Sequence, residues 1–489
     1  MTSAPARSSP SPGAPAPRAQ IDRLVEAALA GGPEKSAARL VRSGQEAYAI
    51  RALSARAASR TLDLMYYAWE DCALGRSLAA EALAAADRGV RVRMLIDDFA
   101  TAGVDAALLA LQAHPRIEVR RHNPLRLRGA VGRLAELLLR FAHLNHRMHN
   151  KAWIVDGRLA IVGGRNIGER YFEAGGDVAN FRDLDIAVLG AAAEQAEAIF
   201  ESYWTSPVVA CSRGLSETPE RIGRARAAML AATQDRSVRA ALELCADDGL
   251  EGLVAGARLR RSDGVEVVAD PPGKWRGQLR PGRRDRSAWI VTRLTQLIGG
   301  ARREIRLVSP YFVPGRRFSR LLTRKARAGT RVEIVTNSLA ATDVVVVHGG
   351  YMRYRRRLLR GGVRLRELRA DAGEDADRSV FGSSGASLHT KASLFDGRRG
   401  FVGSFNLDPR SASVNTEMGV LFDDAALAAD LAAEIDRLAA PRSSWDVRLE
   451  GAALVWRAGD AVCRAEPEST WRQRLTARLV GWLPIEQEL

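Results

Sequence analysis

Lysine is nearly absent. Lys35, Lys151, Lys274, Lys325 and Lys391 are the five among 73 basic residues, so each one that survives is conspicuous. Cysteine is as sparse: Cys72, Cys211, Cys245 and Cys463 lie far apart with no CxxC pair, which argues against a zinc site or a disulfide framework and suits a reducing compartment. No apolar run approaches the roughly 18 residues that a bilayer-spanning helix needs. The N-terminus has no hydrophobic signal core either, so integral insertion is not expected. Acidic residues fall short of basic ones, leaving a formal charge of +16 that predicts an anionic partner. Charge alone does not choose between nucleic acid and an acidic membrane surface.

What is present is length and repetition. At 489 residues the chain exceeds one ordinary core, and 46% apolar content supports a folded protein of two domains or a duplicated unit. Residues 1–20 are rich in Pro, Ala and Ser and are expected to be disordered. From Arg60 the chain reads RTLDLMYYAW, a helical stretch, then DRGVRVRMLIDD; from Arg303 it reads REIRLVSPYF, a helical stretch, then RAGTRVEIVTNS. The β-rich runs 62–67, 90–96, 305–311 and 332–336 alternate with amphipathic helices, which predicts α/β lobes with parallel strand pairing. Strand ends are where such folds place ligands, so Asp97, Asp98, Asn337 and Ser338 are candidates for a site rim, or for turn and helix caps.

A second matched segment carries the chemistry. HNKAWIVDGRLAIVGGRN sets His149, Lys151, Asp156, Gly163, Gly164 and Asn166 in the frame HxKxxxxDxxxxxxG[GS]xN. HTKASLFDGRRGFVGSFN sets His389, Lys391, Asp396, Gly403, Ser404 and Asn406 in the same frame without a gap. One such match could be a core histidine beside a surface lysine; two in equivalent places, using two of five lysines, could not. HxK places both side chains on one strand face, and Asp-Gly is a turn signal that returns the chain as a second strand. Lysine and asparagine can donate to nonbridging phosphate oxygens while a neutral imidazole attacks phosphorus, and a protonated twin can deliver a proton to the departing alkoxide.

These paired motifs resemble those of the phospholipase D superfamily, from about residue 44 to about residue 422. The resemblance implies two pseudo-symmetric α/β/α sandwich lobes with the active site at their interface, and a covalent phosphohistidine that needs no metal or cofactor. It implies catalytic roles for His149, Lys151, Asp156, His389, Lys391 and Asp396, with phosphate-binding or support roles for Asn166, Gly164, Ser404 and Asn406. Glu417 is expected to orient one histidine and Asp185, or its neighbour Asp183, the other. The common pattern makes His149 the nucleophile and His389 the acid; the reverse assignment stays open.

AADRGVRVRMLIDD, HPRIEVRRHNP, NHRMHNK, GGRNIGERYF, SPYFVPG and TNSLAATDVVVVHGGYMRYRRRLL further resemble cardiolipin synthases, notably the branch that lacks N-terminal membrane helices and uses phosphatidylethanolamine as donor. That implies transfer of a phosphatidyl group from phosphatidylethanolamine or phosphatidylglycerol to phosphatidylglycerol. Hydrolysis to phosphatidic acid, a nuclease and a non-catalytic lipid-binding protein are the alternatives, with nucleic acid the least favoured partner. The expected organisation is a tail and lead-in (1–40), a first lobe (41–215), a linker (216–280), a second lobe (281–445) and a C-terminal extension (446–489). In the extension Trp471, Leu475, Leu479, Trp482 and Leu483 recur at helical spacing opposite Arg472, Arg474 and Arg478, which predicts either an interfacial helix or one docked on the body. Attachment is then expected to be peripheral on a bacterial cell membrane. A run at 134–144 reads as core or as lining of the lipid entrance, and Arg353, Arg355, Arg356 and Arg357 as a solvated face or a phosphate contact. Asp343, His348 and Tyr351 are flagged by the resemblance.

Overall fold

A computed structural model describes residues 19–99, 103–124, 146–174, 180–211, 217–245, 247, 249–274, 286–370 and 386–482. Its strands form a nine-stranded sheet, a ten-stranded sheet and a two-stranded ribbon. Seven strands of the first sheet lie in the spatial order Ser36–Val41, Asp185–Gly190, Leu159–Gly163, Ala152–Val155, Thr61–Tyr66, Arg91–Asp97, Ile117–His122. Seven strands of the second repeat that order: Val265–Ala269, Met418–Asp423, Arg399–Gly403, Ala392–Phe395, Glu304–Val308, Arg331–Asn337, Arg364–Leu368. Directions repeat too, with parallel pairing in the strand–helix–strand units and antiparallel pairing in the motif hairpins. The predicted duplication and α/β lobes are therefore what the chain builds.

Local chemistry accounts for the hairpins. Asp156 and Gly157 have φ of 54° and 66°, and Asp396 and Gly397 have 54° and 68°. Two successive left-handed residues make the tight turn that matches strand twist, and Asp-Gly tolerates it best. Strand Ala152–Val155 is buried on both faces, as expected of a central strand covered by helices.

The two lobes share one interior. Ile154, Val162 and Val188 of the first sheet and Val267, Val402 and Val420 of the second join one buried cluster with helices Ala191–Trp204 and Ala425–Ala439. Each of those helices also packs on the first strand of the opposite lobe. Burial of that apolar surface, which drives association of any two such faces, keeps the lobes together.

Four expected boundaries shift. The lead-in contains helix Gln20–Leu29 and strand Ser36–Val41, and the strand belongs to the first sheet. The region expected as linker holds helices Pro219–Ala232, Arg236–Glu243 and Gly249–Ala255, which pack on the first lobe. The second lobe opens at Val265, because Val265–Ala269 pairs with Met418–Asp423, a partner 150 residues downstream that no local pattern announces. In the extension, Ser444–Glu450, Ala453–Ala458 and Ala461–Cys463 prolong the second sheet. Helix Trp471–Trp482 packs against helix Val345–Arg360. The run at 134–144, residues 1–18, and the side chains of Trp482 and Leu483 lie outside the described residues.

Candidate active site

Each motif histidine is first fixed through its backbone. The Asp97 carboxylate accepts the Met148 N–H at 2.9 Å, and the Asn337 amide donates to the Leu388 carbonyl at 3.0 Å and accepts its N–H at 2.8 Å. These strand-end residues clamp the position just before each histidine. The histidine N–H groups then cross to the other lobe: His149 donates to the Thr416 carbonyl and His389 to the Arg182 carbonyl, both at 2.8 Å. Strand Ala386–Leu388 also pairs in parallel with Asn180–Arg182, stitching the lobes at the site.

The side chains cross in the same way. His149 Nδ1 lies 2.9 Å from Glu417 Oε2 of the second lobe, and His389 Nδ1 lies 2.5 Å from Asp183 Oδ2 of the first. A carboxylate only accepts, so each Nδ1 carries the hydrogen and each Nε2 is left with its lone pair. Among the described residues neither Nε2 has a hydrogen-bond partner, and neither is sealed from solvent. Strand register identifies the acids as counterparts: Gly163 pairs with Asp185 and Gly403 with Gly419, so Asp183 matches Glu417. Asp185, expected as support for a histidine, instead receives Arg51 at 2.9 Å and lies 3.6 Å from Arg165. Side chains two apart share a strand face, and the sequence alone did not decide which acid of RDLD ends opposite the imidazole.

Lys151 Nζ donates to the His149 carbonyl at 2.7 Å, and Lys391 Nζ donates to the His389 carbonyl. Burial drives both ammonium groups down, Lys391 to about 8, against the pull of Asp183 and Glu417. Burial also lowers both imidazoles, with His389 pushed down to about 4 and Lys391 adding to the depression of each ring. Burial pushes the Glu417 carboxyl up, but His149 and Lys151 outweigh it and hold it below the ordinary carboxylate value. Asp183 is held low by Lys391 and His389 in the same way. The free site thus keeps two neutral imidazoles on two ionised acids.

Residues next to the acids explain the GG and GS variants. A Cβ on Gly164 would sit 2.2 Å from Asp183 Oδ1, so no serine fits there. Ser404 instead donates to Glu417 Oε2 at 2.5 Å, and Ser411 donates to Glu417 Oε1 at 2.7 Å. The two asparagines also diverge. Asn166 accepts from Ala68 N–H and donates to the Tyr171 hydroxyl at 2.9 Å, whereas Asn406 Oδ1 is buried without a partner among the described residues.

The motif aspartates need correcting: Asp156 and Asp396 are not at the site. Asp156 accepts the N–H groups of Ser59, Arg60 and Thr61, and Asp396 those of Arg302, Arg303 and Glu304. Each stands seven positions beyond its histidine along extended chain, about 20 Å. They tie each hairpin turn to the start of the neighbouring parallel strand.

Several neighbours escaped the sequence reading. Tyr67 packs edge-on to His149 at 5.2 Å between centroids, while Tyr171, Phe181 and Tyr311 surround His389 at 5.1, 4.8 and 6.5 Å. Tyr311 donates to Asp343 at 2.9 Å, which places the flagged Asp343 on the His389 side. Lys274 had a signal, its rarity. It is fully buried, donating to Asp270 and to the carbonyls of Ser411 and Asn415, and Asp270 accepts the Glu417 N–H. Of the remaining flags, Asp98 pairs with Arg121 and Ser338 accepts the Ala341 N–H. Arg355 is buried between Glu367 and Glu466 and touches His348, rather than facing solvent, and Tyr351 donates to Glu367. That network anchors the C-terminal extension to the second lobe.

Two equivalent histidines, each oriented by the opposite repeat's acid and backed by a buried lysine, define an enzyme of the phospholipase D fold class. A family model described as "Cardiolipin synthase, PLD-like domain" matches residues 53–204 and 294–439. Cardiolipin synthase C of Escherichia coli K12 is 37% identical over 453 residues, covering 90% of this chain and 93% of the relative. Cardiolipin synthase B of the same organism is 25% identical over 402 residues, covering 79% and 76%. The crystal structure of phosphatidylserine synthase from Haemophilus influenzae superposes with a TM-score of 0.56 at 15% identity, covering 82% of this chain and 85% of that one, a likeness of fold. The chain belongs to the cardiolipin synthase family of phospholipase D-like enzymes.

Proposed function

We propose that this enzyme forms cardiolipin by moving a phosphatidyl group from phosphatidylethanolamine or phosphatidylglycerol to phosphatidylglycerol through a phosphohistidine. The observation that carries the reading is the crossed pairing of His149 with Glu417 and of His389 with Asp183. In this reading the two Nε2 atoms flank one phosphodiester. His149 Nε2 attacks phosphorus, forming P–N as the P–O bond to the headgroup breaks, and His389 gives its Nε2 proton to the departing alkoxide. The acceptor hydroxyl then returns a proton to His389 and attacks phosphorus, breaking P–N.

A neutral His389 must first become the acid. The bound phosphodiester anion favours its protonated form, and Asp183 stabilises the imidazolium. In this reading Lys151, Lys391 and Asn406 donate to the nonbridging oxygens. His149 takes the nucleophile's role because its side chain is the more open, 13% exposed against 6% for His389.

The relatives named as cardiolipin synthases support a lipid substrate. So does the C-terminal helix. No described helix is long and apolar enough to cross a membrane, yet Trp471, Leu475 and Leu479 stand 68%, 50% and 62% exposed at four-residue spacing. With Arg472 and Arg478 beside them they suit peripheral attachment to an anionic bilayer, where each basic residue contributes roughly 1 kcal/mol. Incubating the purified chain with phosphatidylglycerol, with and without phosphatidylethanolamine, should yield cardiolipin. Phosphatidic acid without cardiolipin would make it a hydrolase.

A further inference from the structure

The loop that carries Ser404 and Ser411 has a second face. Toward the site those two serines hold Glu417. On the other side Phe405, Leu407 and Ala412 line a groove of about 740 Å³ between helices Ile290–Gly300 and Gly315–Arg327. Leu294, Val313, Phe318 and Leu321 complete its apolar lining, and Arg286, Arg316 and Arg317 stand exposed around it.

The volume lies within the roughly 300–1,000 Å³ typical of small-molecule sites. The guanidinium groups of Arg316 and Arg317 make no hydrogen bond or ion pair with any described residue, and Arg286 only lies over the Trp289 ring at 5.0 Å. By contrast, nearby Arg293 is paired with Glu266. Helix Gly315–Arg327 begins here without a side-chain cap, so its first N–H groups are also open to an anion. An apolar trough beside uncommitted cations fits an anionic amphiphile better than a free phosphate or a neutral chain.

A lipid whose phosphate is held by these arginines is not the one being cleaved, since the reacting phosphorus must lie between the histidines. We infer that the groove seats the acyl portion of the acceptor, an anionic phospholipid, with its spectator phosphate on Arg316 and Arg317. The inference rests on the transferase reading and adds to it the place where the second lipid waits. The segment 404–413 is common to the groove and to the hydrogen bonds of Glu417, which links the two places.

Photo-crosslinking tests it. Full-length protein is incubated in mixed micelles with phosphatidylglycerol bearing a diazirine on an acyl chain, irradiated, and mapped by mass spectrometry. Labels are expected on peptides covering 290–300, 313–321 and 405–413, and to persist in His149→Ala. The double variant R316E/R317E should lower that labelling and raise KM for phosphatidylglycerol by about tenfold, because two favourable charges become two unfavourable ones. Ala412→Trp, which fills the trough, should lower labelling while its thermal midpoint reports on folding. A diazirine phosphatidylcholine should label the groove several-fold less. Labels mapping elsewhere, equal labelling by phosphatidylcholine, or labelling unchanged in R316E/R317E would overturn the inference and leave the transferase reading standing. Phosphatidic acid without cardiolipin from the wild-type chain would instead defeat the transferase reading, whatever the labels show.

Discussion

The two lobes repeat a fold but not an environment. In the first, Asp183 is a short acid, Gly164 makes room for it, and Arg165 spends its donors on the carbonyls of Val41, Arg42, Tyr171 and Asp183. In the second, Glu417 is a longer acid, Ser404 and Ser411 hold its two oxygens, and Phe405 replaces the arginine. The histidines inherit the difference across the interface. Among the described residues His389, on the short acid, sits among three aromatic rings, while His149, on the long acid, meets one. A duplicated scaffold thus supplies the same atoms twice and gives them different neighbours.

Replacing each histidine should break that comparison most sharply. His149→Ala should reduce transfer on the order of 10⁴-fold or more and leave no covalent phosphatidyl-enzyme, whereas His389→Ala should slow turnover yet still trap label from a radioactive donor. Label trapped only in the His149 variant would reverse the roles.

The neighbouring acids should separate next. Asp185→Ala strands the buried Arg51 and Arg165 and should cost about 3–5 kcal/mol in urea unfolding. Asp183→Asn should act chiefly on kcat, and equal effects of the two variants on stability would contradict the crossed pairing.

At the GG and GS positions, Gly164→Ser should push Asp183 away from His389 and lower kcat about 10²-fold, since a displacement near 1 Å can cost that much. Ser404→Gly, which removes a donor from Glu417 and an acceptor from the Met418 N–H without displacing the acid, should cost less. Parity between them would mean the lobes are not as different as the contacts indicate.

The motif aspartates should behave alike in kind. Asp156→Ala and Asp396→Ala should each lose about 1–3 kcal/mol of stability by freeing backbone N–H groups, with the more buried Asp156 the costlier. Activity measured well below the unfolding midpoint should survive both.

The smallest effect is on pH dependence. Below about 6.5 an unfolded histidine takes up a proton that folded His389 refuses until about 4. The unfolded chain then binds more protons, so stability should fall as pH drops through that window. His389→Gln should lose less between pH 7 and pH 4.5 in thermal unfolding, and an identical loss would place the titrating group elsewhere.

Much of this was legible before any coordinates. Both histidines and both lysines stood out by their repeated spacing, and Glu417 by the resemblance; the structure brings His149 and Glu417 together. Asp156 and Asp396 were placed wrongly because a motif records what is kept together in sequence, and a turn that must be tied down is kept as faithfully as a catalytic group. Arg355 was read as one of a surface run because a helix shows which residues share a face, while Glu367 and Glu466 reach it from other elements. Val265–Ala269 was hidden in a supposed linker for the same reason: its partner is remote.

The sequence by itself determined the duplication, the α/β lobes, the Asp-Gly turns and the two histidine–lysine pairs, since all follow from short-range periodicity and steric preference. Only the tertiary structure decided that each imidazole rests on the opposite lobe's acid, that Asp183 and not Asp185 does so, and that one asparagine is committed while its twin is free. Those are contacts between residues up to 268 positions apart, and they exist only once two buried faces have closed on each other.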